Sequence, residues 1–117
     1  MKINTPQKTE PFTFIKFDGY YAVNINVKNH MKELFEKHKT DGFICCGYDW
    51  CTLIITFIDQ SETLHTLWNV FDYDPSDNEL YILSQDEAAL HKLVCELKSI
   101  YNDTSYIEFL MSKIDYR

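Results

Sequence analysis

Glycine, proline and long apolar runs are all scarce in this sequence. With three glycines and three prolines in 117 residues, the chain has no glycine-rich loop of the kind that cradles phosphates or dinucleotides. No apolar run approaches the roughly 18 residues of a membrane span, and the N-terminus lacks the apolar segment of a secretion signal. These absences predict a cytoplasmic protein that neither enters a membrane nor binds a nucleotide cofactor.

The sequence also lacks a catalytic or metal-binding motif. Its four histidines are scattered along the chain: His30, His38, His65 and His91. None of them belongs to a metalloprotease or comparable pattern, and no nucleophile elbow is present. Three cysteines, Cys45, Cys46 and Cys51, lie close together but not at the CxxC spacing of zinc sites, so free buried thiols are expected in a reducing cytosol. We therefore expect no enzyme activity, no catalytic residue, no metal and no cofactor.

Positive charge is missing from the centre of the chain. Residues 40–91 contain no lysine or arginine but ten acidic residues, so this segment carries −10 against a formal net charge of −7 for the whole chain. The flanks hold all 11 basic residues against the remaining 8 acids, which gives +3. A central anion of this kind would repel nucleic acid and anionic lipid. A basic protein partner fits it better, although an ordinary solvated acidic surface would have the same composition.

The length predicts a single domain over residues 1–117, in which residues 1–11 are a polar N-terminal tail or a lead-in strand. Residues 12–17 alternate as a strand, and Asp18-Gly19 predicts a hairpin turn into a second strand over residues 20–27. Asn29 is the expected N-cap of a helix that runs to about Lys39, and Gly42 fits the left-handed C-cap of that helix.

A second hairpin is predicted further along the chain. Residues 69–73 and 79–84 have strand character on either side of turn formers at residues 74–78, while residues 63–68 are ambiguous. A long helix then begins near Asp86, and a short final helix covers residues 106–114. This order of elements predicts an α+β fold, an antiparallel sheet built from two hairpins with about four helices packed on it.

The centre of the chain predicts one long core helix. Asp49 stands where a carboxylate satisfies free backbone amides at a helix start. Behind it, apolar residues recur at helical spacing: Trp50, Leu53, Ile54, Phe57 and Ile58. With the preceding turn at the surface, Tyr48 and Asp49 are expected to be exposed at the start of this helix. An exposed aromatic residue beside a carboxylate is typical of a hot spot that binds lysine or arginine.

The motifs of this segment resemble those of immunity protein family 51 from bacterial polymorphic toxin systems. The resemblance rests on Gly42-Phe43 and on Gly47-Tyr48-Asp49-Trp50 ahead of an apolar helix. It covers residues 14–114 and includes further motifs: Phe71-Asp72, Asp74-Pro75, Tyr81-Ile82-Leu83-Ser84 and Asp86-Glu87-Ala88-Ala89-Leu90. It implies a small cytoplasmic antidote, without catalytic residues, that binds and blocks the toxin domain of a secreted effector. Cys45, Cys46 and Tyr73 depart from the family pattern, which bears on partner choice more than on fold.

Charge and resemblance together predict an acidic surface that faces the toxin. Toxin domains of this kind often act on nucleic acids and carry a basic cleft, which an anionic segment can reach quickly and occupy by mimicry. The expected toxin-binding residues are Tyr48, Asp49, Trp50, Asp72, Asp74, Asp77 and Glu79, with Trp50 and the central helix as their support. Two alternatives stay open. One is a small cytosolic enzyme that uses His65, His91 and nearby carboxylates, and the other is a subunit of a cytosolic complex unrelated to toxins.

Overall fold

The computed structural model describes residues 7–9 and 11–114, which form one five-stranded antiparallel sheet and four α-helices. The strands are β1 (Gln7–Thr9), β2 (Phe12–Phe17), β3 (Tyr20–Asn26), β4 (Asp72–Pro75) and β5 (Glu79–Ser84). The helices are α1 (Lys32–Lys37), α2 (Gly47–Gln60), α3 (Glu87–Ile100) and α4 (Thr104–Met111). The strand order is β1-β2-β3-β5-β4. The predicted α+β class with a sheet and four helices is confirmed.

The first three strands form a meander that is one strand longer than the predicted hairpin. Strands β2 and β3 pair through the turn at Asp18-Gly19, where Gly19 has a φ of 91° that favours glycine. Strand β1 pairs with β2 and forms one edge of the sheet. The lead-in strand predicted within residues 1–11 is therefore present at residues 7–9, while residues 1–6 and 10 lie outside the described part of the chain.

The second hairpin has the predicted β5 but a shifted partner. Strand β4 begins at Asp72 and includes Pro75, whereas the sequence indicated a strand over residues 69–73 and a turn from residue 74. Pro75 is tolerated because β4 is the other edge of the sheet and pairs only with β5. A bond from the Ser76 N–H to the Glu79 carbonyl, 2.8 Å long, closes the tighter turn.

The first helix is shorter than predicted, and its expected N-cap is wrong. Helix α1 begins at Lys32, because Asn29 and Met31 have φ values of 60° and 59°, a left-handed conformation that an α-helix cannot include. The N-terminus of α1 has no side-chain cap. Gly42 has the expected left-handed conformation, with a φ of 105°, but it ends a short 3-10 turn, Lys39–Asp41, instead of α1.

The core lies between the sheet and the helices. The predicted apolar stripe of α2 is buried in it, and so are the inner residues of α3. Strands β3 and β5 contribute side chains with no exposed surface: Val23, Ile25, Leu80 and Ile82. Of the three N-cap candidates for α3, Ser84, Gln85 and Asp86, it is Asp86 that accepts a hydrogen bond from the Ala89 N–H. Asp103 caps α4 in the same way, and α4 begins at Thr104, two residues before the predicted start. No helix among the described residues is long and apolar enough to cross a bilayer.

Candidate functional site

The tip of the β4–β5 hairpin packs closely against the first turn of α2. The Gly47 N–H donates a hydrogen bond to the Asp77 carbonyl oxygen, 3.1 Å away. A Cβ atom on Gly47 would overlap the carbonyl oxygens of Ser76 and Glu79, so a side chain has no room here. This close approach brings Asp77 next to the start of α2, where Tyr48 follows Gly47. Two parts of the predicted site that lie about 30 residues apart in sequence thus meet in space.

Asp49 is buried, and the prediction that it would be exposed is wrong. Only 5% of the residue is accessible. Its carboxylate accepts hydrogen bonds from the backbone N–H groups of Ile44, at 2.6 Å, and Cys45, at 3.1 Å. A carboxylate in the first turn that reaches back to preceding amides acts as in a capping box. Asp49 therefore holds the loop that enters α2 and presents no carboxylate to a partner.

Trp50 is 1% exposed and lies in the centre of an aromatic cluster. Its ring centroid lies 5.0 Å from that of Tyr101, 5.3 Å from that of His30 and 5.7 Å from that of Phe35. Contacts at these distances and tilted orientations are typical of stabilising aromatic packing. This position is that of a supporting residue beneath the surface.

The surroundings of Cys45 and Cys51 indicate a structural role for both thiols. Cys45 has a left-handed φ of 58°, and its thiol donates a hydrogen bond to the His30 carbonyl at 3.3 Å. Burial, followed by the nearby Asp49 carboxylate, raises the pKa of Cys45, and burial raises the pKa of Cys51 to about 11. Both thiols are therefore protonated at neutral pH. The described residues contain no group of three or more histidine, cysteine or acidic side chains arranged to hold a metal ion.

The loop before α2 and the first turn of α2 each present one large apolar or aromatic side chain to solvent. Tyr48 is 56% exposed, as expected, and Ile44 is 72% exposed. Ile44 was not among the predicted site residues, because Phe43 and Ile44 are both apolar and only the structure shows that Phe43 alone is buried. Since the backbone N–H of Ile44 is bonded to Asp49, the exposure of Ile44 comes from a fixed conformation of the loop.

The structure brings together three of the predicted acids on one face of the sheet. Along β4, Asp72 and Asp74 are exposed and alternate with Tyr73, which packs against the core. The side chain of Tyr73 lies on the helix side of the sheet, where burial, followed by Cys51 and Asp72, raises its pKa. Glu79 shares the opposite face with the two aspartates and accepts a hydrogen bond from the Asn24 side chain at 3.2 Å.

None of these carboxylates is neutralised by a described basic side chain. The ion pairs of the described residues lie elsewhere: Lys37–Glu108, His38–Asp41, His38–Glu108 and His91–Glu87. Asp72, Asp74 and Asp77 are exposed, and Glu79 is half-buried. The hairpin therefore presents four uncompensated negative charges on its tip and on one face of the sheet.

That face of the sheet carries no described helix, and we call it the open sheet face. Strand register aligns its side chains in two rows across four strands. One row runs Ile15, Ala22, Leu83 and Asp72, and the other runs Thr13, Asn24, Tyr81 and Asp74. Glu79 and Asn26 complete the open sheet face beside the second row. None of its residues belongs to the core cluster formed with the helices.

The histidines proposed for an enzyme have separate structural contacts. The Nδ1 atom of His65 lies 2.9 Å from the Ser61 carbonyl oxygen. His91 stacks on the Phe14 ring with centroids 4.3 Å apart and lies 3.8 Å from the Glu87 carboxylate. The structure thus gives the catalytic alternative no support.

Comparison with known proteins identifies the family of the chain. A family model described as immunity protein 51 matches residues 12–116, nearly the whole chain. No curated protein and no solved structure gives a significant match. The family match supports an immunity function, with a toxin protein as the partner and a role other than catalysis. The chain belongs to the immunity protein 51 family.

Proposed function

We propose that this protein binds and neutralises the cognate toxin domain of a bacterial polymorphic toxin system in the cytoplasm of the producing cell. The observation that carries the proposal is the family match over residues 12–116. An immunity protein needs no chemistry of its own, because a stoichiometric complex that covers the toxin is sufficient. The absence of any recognised catalytic motif in the sequence is consistent with this role.

The toxin-facing surface in this proposal is the acidic β4–β5 hairpin. Asp72, Asp74 and Glu79 lie on the open sheet face, and Asp77 lies at the hairpin tip. Tyr48 extends this surface from the start of α2, next to Asp77. Asp49 and Trp50 belong to it only as the support that fixes the loop and the helix below.

Electrostatic attraction is the mechanism by which this surface would bind the toxin. Carboxylates without basic neighbours keep their full field, which attracts a cationic cleft over distances up to the Debye length, about 8–10 Å at physiological salt. A toxin that acts on nucleic acid needs such a cleft, and the hairpin would occupy it in place of the phosphate backbone. Steered association of this kind raises the rate of binding, which favours a rapid response to an incoming toxin.

The test is isothermal titration of the protein with the toxin domain encoded by the adjacent gene, at two salt concentrations. We compare the native protein with a variant that carries Asp72→Lys and Asp74→Lys. The matched control carries Asp59→Lys and Glu62→Lys, two exposed acids outside the hairpin. Each reversal adds two charges, so both variants change the net charge from −7 to −3.

Tight binding that weakens with salt, and that is lost in the hairpin variant but kept in the control, is the expected result. We expect the hairpin variant to bind at least about a hundredfold more weakly, because each reversed charge at an interface costs on the order of a few kcal/mol. Equal losses in both variants would indicate a general effect of net charge and remove the hairpin from the interface. No binding of the native protein would contradict the proposed function itself.

A further inference from the structure

On the open sheet face, neutral and apolar side chains on β2 are followed by acidic ones toward β4. Both rows begin with neutral residues on β2, Ile15 and Thr13, and both end with an aspartate on β4. Between them, β5 contributes Leu83 and Tyr81, which are half-buried. The face thus has an apolar centre and an acidic border along the edge strand.

Three large apolar residues of this face lie outside the core cluster, while Ala22 between them has no exposed surface. Ile15, Tyr81 and Leu83 lie outside the core cluster, although they are near its most buried strands. Phe17 and Tyr20 extend the apolar area at the β2–β3 turn, where their exposed rings stack 4.6 Å apart. A continuous apolar area on a sheet face, with a polar border, is the anatomy of a protein-binding surface.

The negative charge of the open sheet face indicates which kind of partner can bind there. Alternation along the described parts of β2–β5 places no lysine or arginine side chain on it, since Lys16 lies on the opposite face with its Nζ atom 5.6 Å from the Tyr21 ring centroid. A second copy of the chain would set the same three carboxylates against each other, and among the described residues the register offers them one cation, Lys8 of β1, which pairs with Thr13 at the far edge of the face. A surface with apolar groups bordered by lysine or arginine complements it.

We propose that the toxin domain docks on the open sheet face, with Ile15, Tyr81 and Leu83 as the desolvated centre of the contact and Asp72, Asp74 and Glu79 as its rim. This inference rests on the proposed function and adds the contact geometry. It also assigns different kinetic roles to the acidic rim and to the apolar centre. The rim speeds association, and the apolar centre slows dissociation.

Binding kinetics on an immobilised toxin domain from the adjacent gene test this division. The variant with Ile15→Ala and Leu83→Ala should dissociate at least about tenfold faster, with an association rate within about twofold of the native value. The variant with Asp72→Asn and Asp74→Asn should instead associate more slowly, and more so at low salt. The control is Ile55→Ala, because Ile55 is 46% exposed on α2 in the helix layer.

The outcomes separate the inference from the proposed function. If the native protein does not bind, the proposed function fails. If it binds and the Ile15→Ala, Leu83→Ala variant dissociates at the native rate, the function stands and the docking face is wrong. Thermal unfolding checks that the variant is folded, and the single Leu83→Ala variant replaces it if it is not.

Two other occupants of the face are tested by the same proteins. Light scattering reports the mass of the protein alone, and a dimer that the Ile15→Ala, Leu83→Ala variant turns into a monomer would show that a second copy covers the face. Removal of residues 1–6 tests the chain's own N-terminus. Tighter toxin binding after the removal would show that these residues compete with the toxin for the face, which would support the inference. A dimer held together by the face would overturn it.

Discussion

Alternate side chains of each strand point to opposite faces of the sheet, and the residues on the two faces have different roles. On the helix side, Val23 and Ile82 have no exposed surface and lie in the core. Leu83, the sequence neighbour of Ile82, is half-buried on the open sheet face, and Ala22, the neighbour of Val23, lies on that face with no exposed surface. Because successive side chains of a strand point to opposite faces, adjacent residues of one strand can serve stability on one face and recognition on the other. Substitutions at adjacent positions should therefore affect different properties.

The largest expected effect comes from comparing two adjacent residues of β5. Ile82→Ala leaves a cavity between sheet and helices and should lower the free energy of unfolding by about 3–4 kcal/mol. Leu83→Ala removes a half-buried side chain from the open sheet face and should cost less than about 1 kcal/mol. Urea unfolding of both variants measures the difference. Similar losses would mean that the open sheet face is packed against something and is not available to a partner.

The next effect concerns the point where the hairpin tip meets the helix layer. Gly47→Ala places a methyl group against the carbonyl oxygens of Ser76 and Glu79, and should destabilise the protein by about 3 kcal/mol through overpacking. Gly19→Ala is the control, since no atom lies within 4 Å of its added Cβ and only the left-handed backbone resists the substitution, at about 1 kcal/mol. Thermal unfolding of both variants compares the two costs. A Gly47→Ala variant as stable as the control would show that the tip can move away from α2.

A smaller effect is expected at the loop that Asp49 holds. Asp49→Ala leaves the N–H groups of Ile44 and Cys45 without the carboxylate and should cost about 2 kcal/mol. Hydrogen exchange should show faster exchange at these two amides than in the native protein, while the amides of β5 keep their protection. Unchanged exchange at residues 44 and 45 would contradict the supporting role assigned to Asp49.

The smallest effect is a pH dependence far from the hairpin. The two ring nitrogens of His38 contact Glu108, at 2.7 Å, and Asp41, at 3.2 Å. The hydrogen bond to Glu108 outweighs burial, which acts in the opposite direction, and raises the pKa of His38 above its ordinary 6.5. The folded pKa exceeds the unfolded one, so this stabilisation is complete below pH 6.5 and is lost as the pH rises through the raised value.

The same contact lowers the pKa of Glu108 from 4.5, so the stabilisation is also lost when the pH falls through that lowered value. Melting temperatures on both sides of the raised His38 pKa should show a small decline toward high pH. The Glu108→Gln variant removes the main cause of the shift and should flatten that decline. An equal decline in the variant would assign the pH dependence to other groups.

Local patterns in the sequence were sufficient for most of the fold. The stripe of α2, the bounds of β5 and the Asp18-Gly19 turn depend on spacing and turn chemistry within a few residues, and the structure confirms them. The start of α1 was wrong because Asn29 is a good N-cap in general, and only its tertiary surroundings place it in a left-handed conformation.

The site was harder to predict than the fold. Asp49 has the sequence context of an exposed cap, and its burial depends on backbone amides that the loop folds around it. Alternation showed that β5 has two faces but not which one the helices would cover, so Leu83 and Ile15 were not identified. The contribution of Asp72, Asp74, Asp77, Glu79 and Tyr48 to toxin binding stays a prediction.

The most direct test of the account is methyl cross-saturation in the complex with the toxin domain. The immunity protein is deuterated and labelled at its isoleucine and leucine methyl groups, and the aliphatic protons of the toxin are irradiated. We expect strong signal loss at Ile15 and Leu83 on the open sheet face, with little loss at Ile55 on α2 or at the buried Ile82. Signal loss at Ile55 without loss at Ile15 and Leu83 would place the toxin on the helix layer and contradict the account.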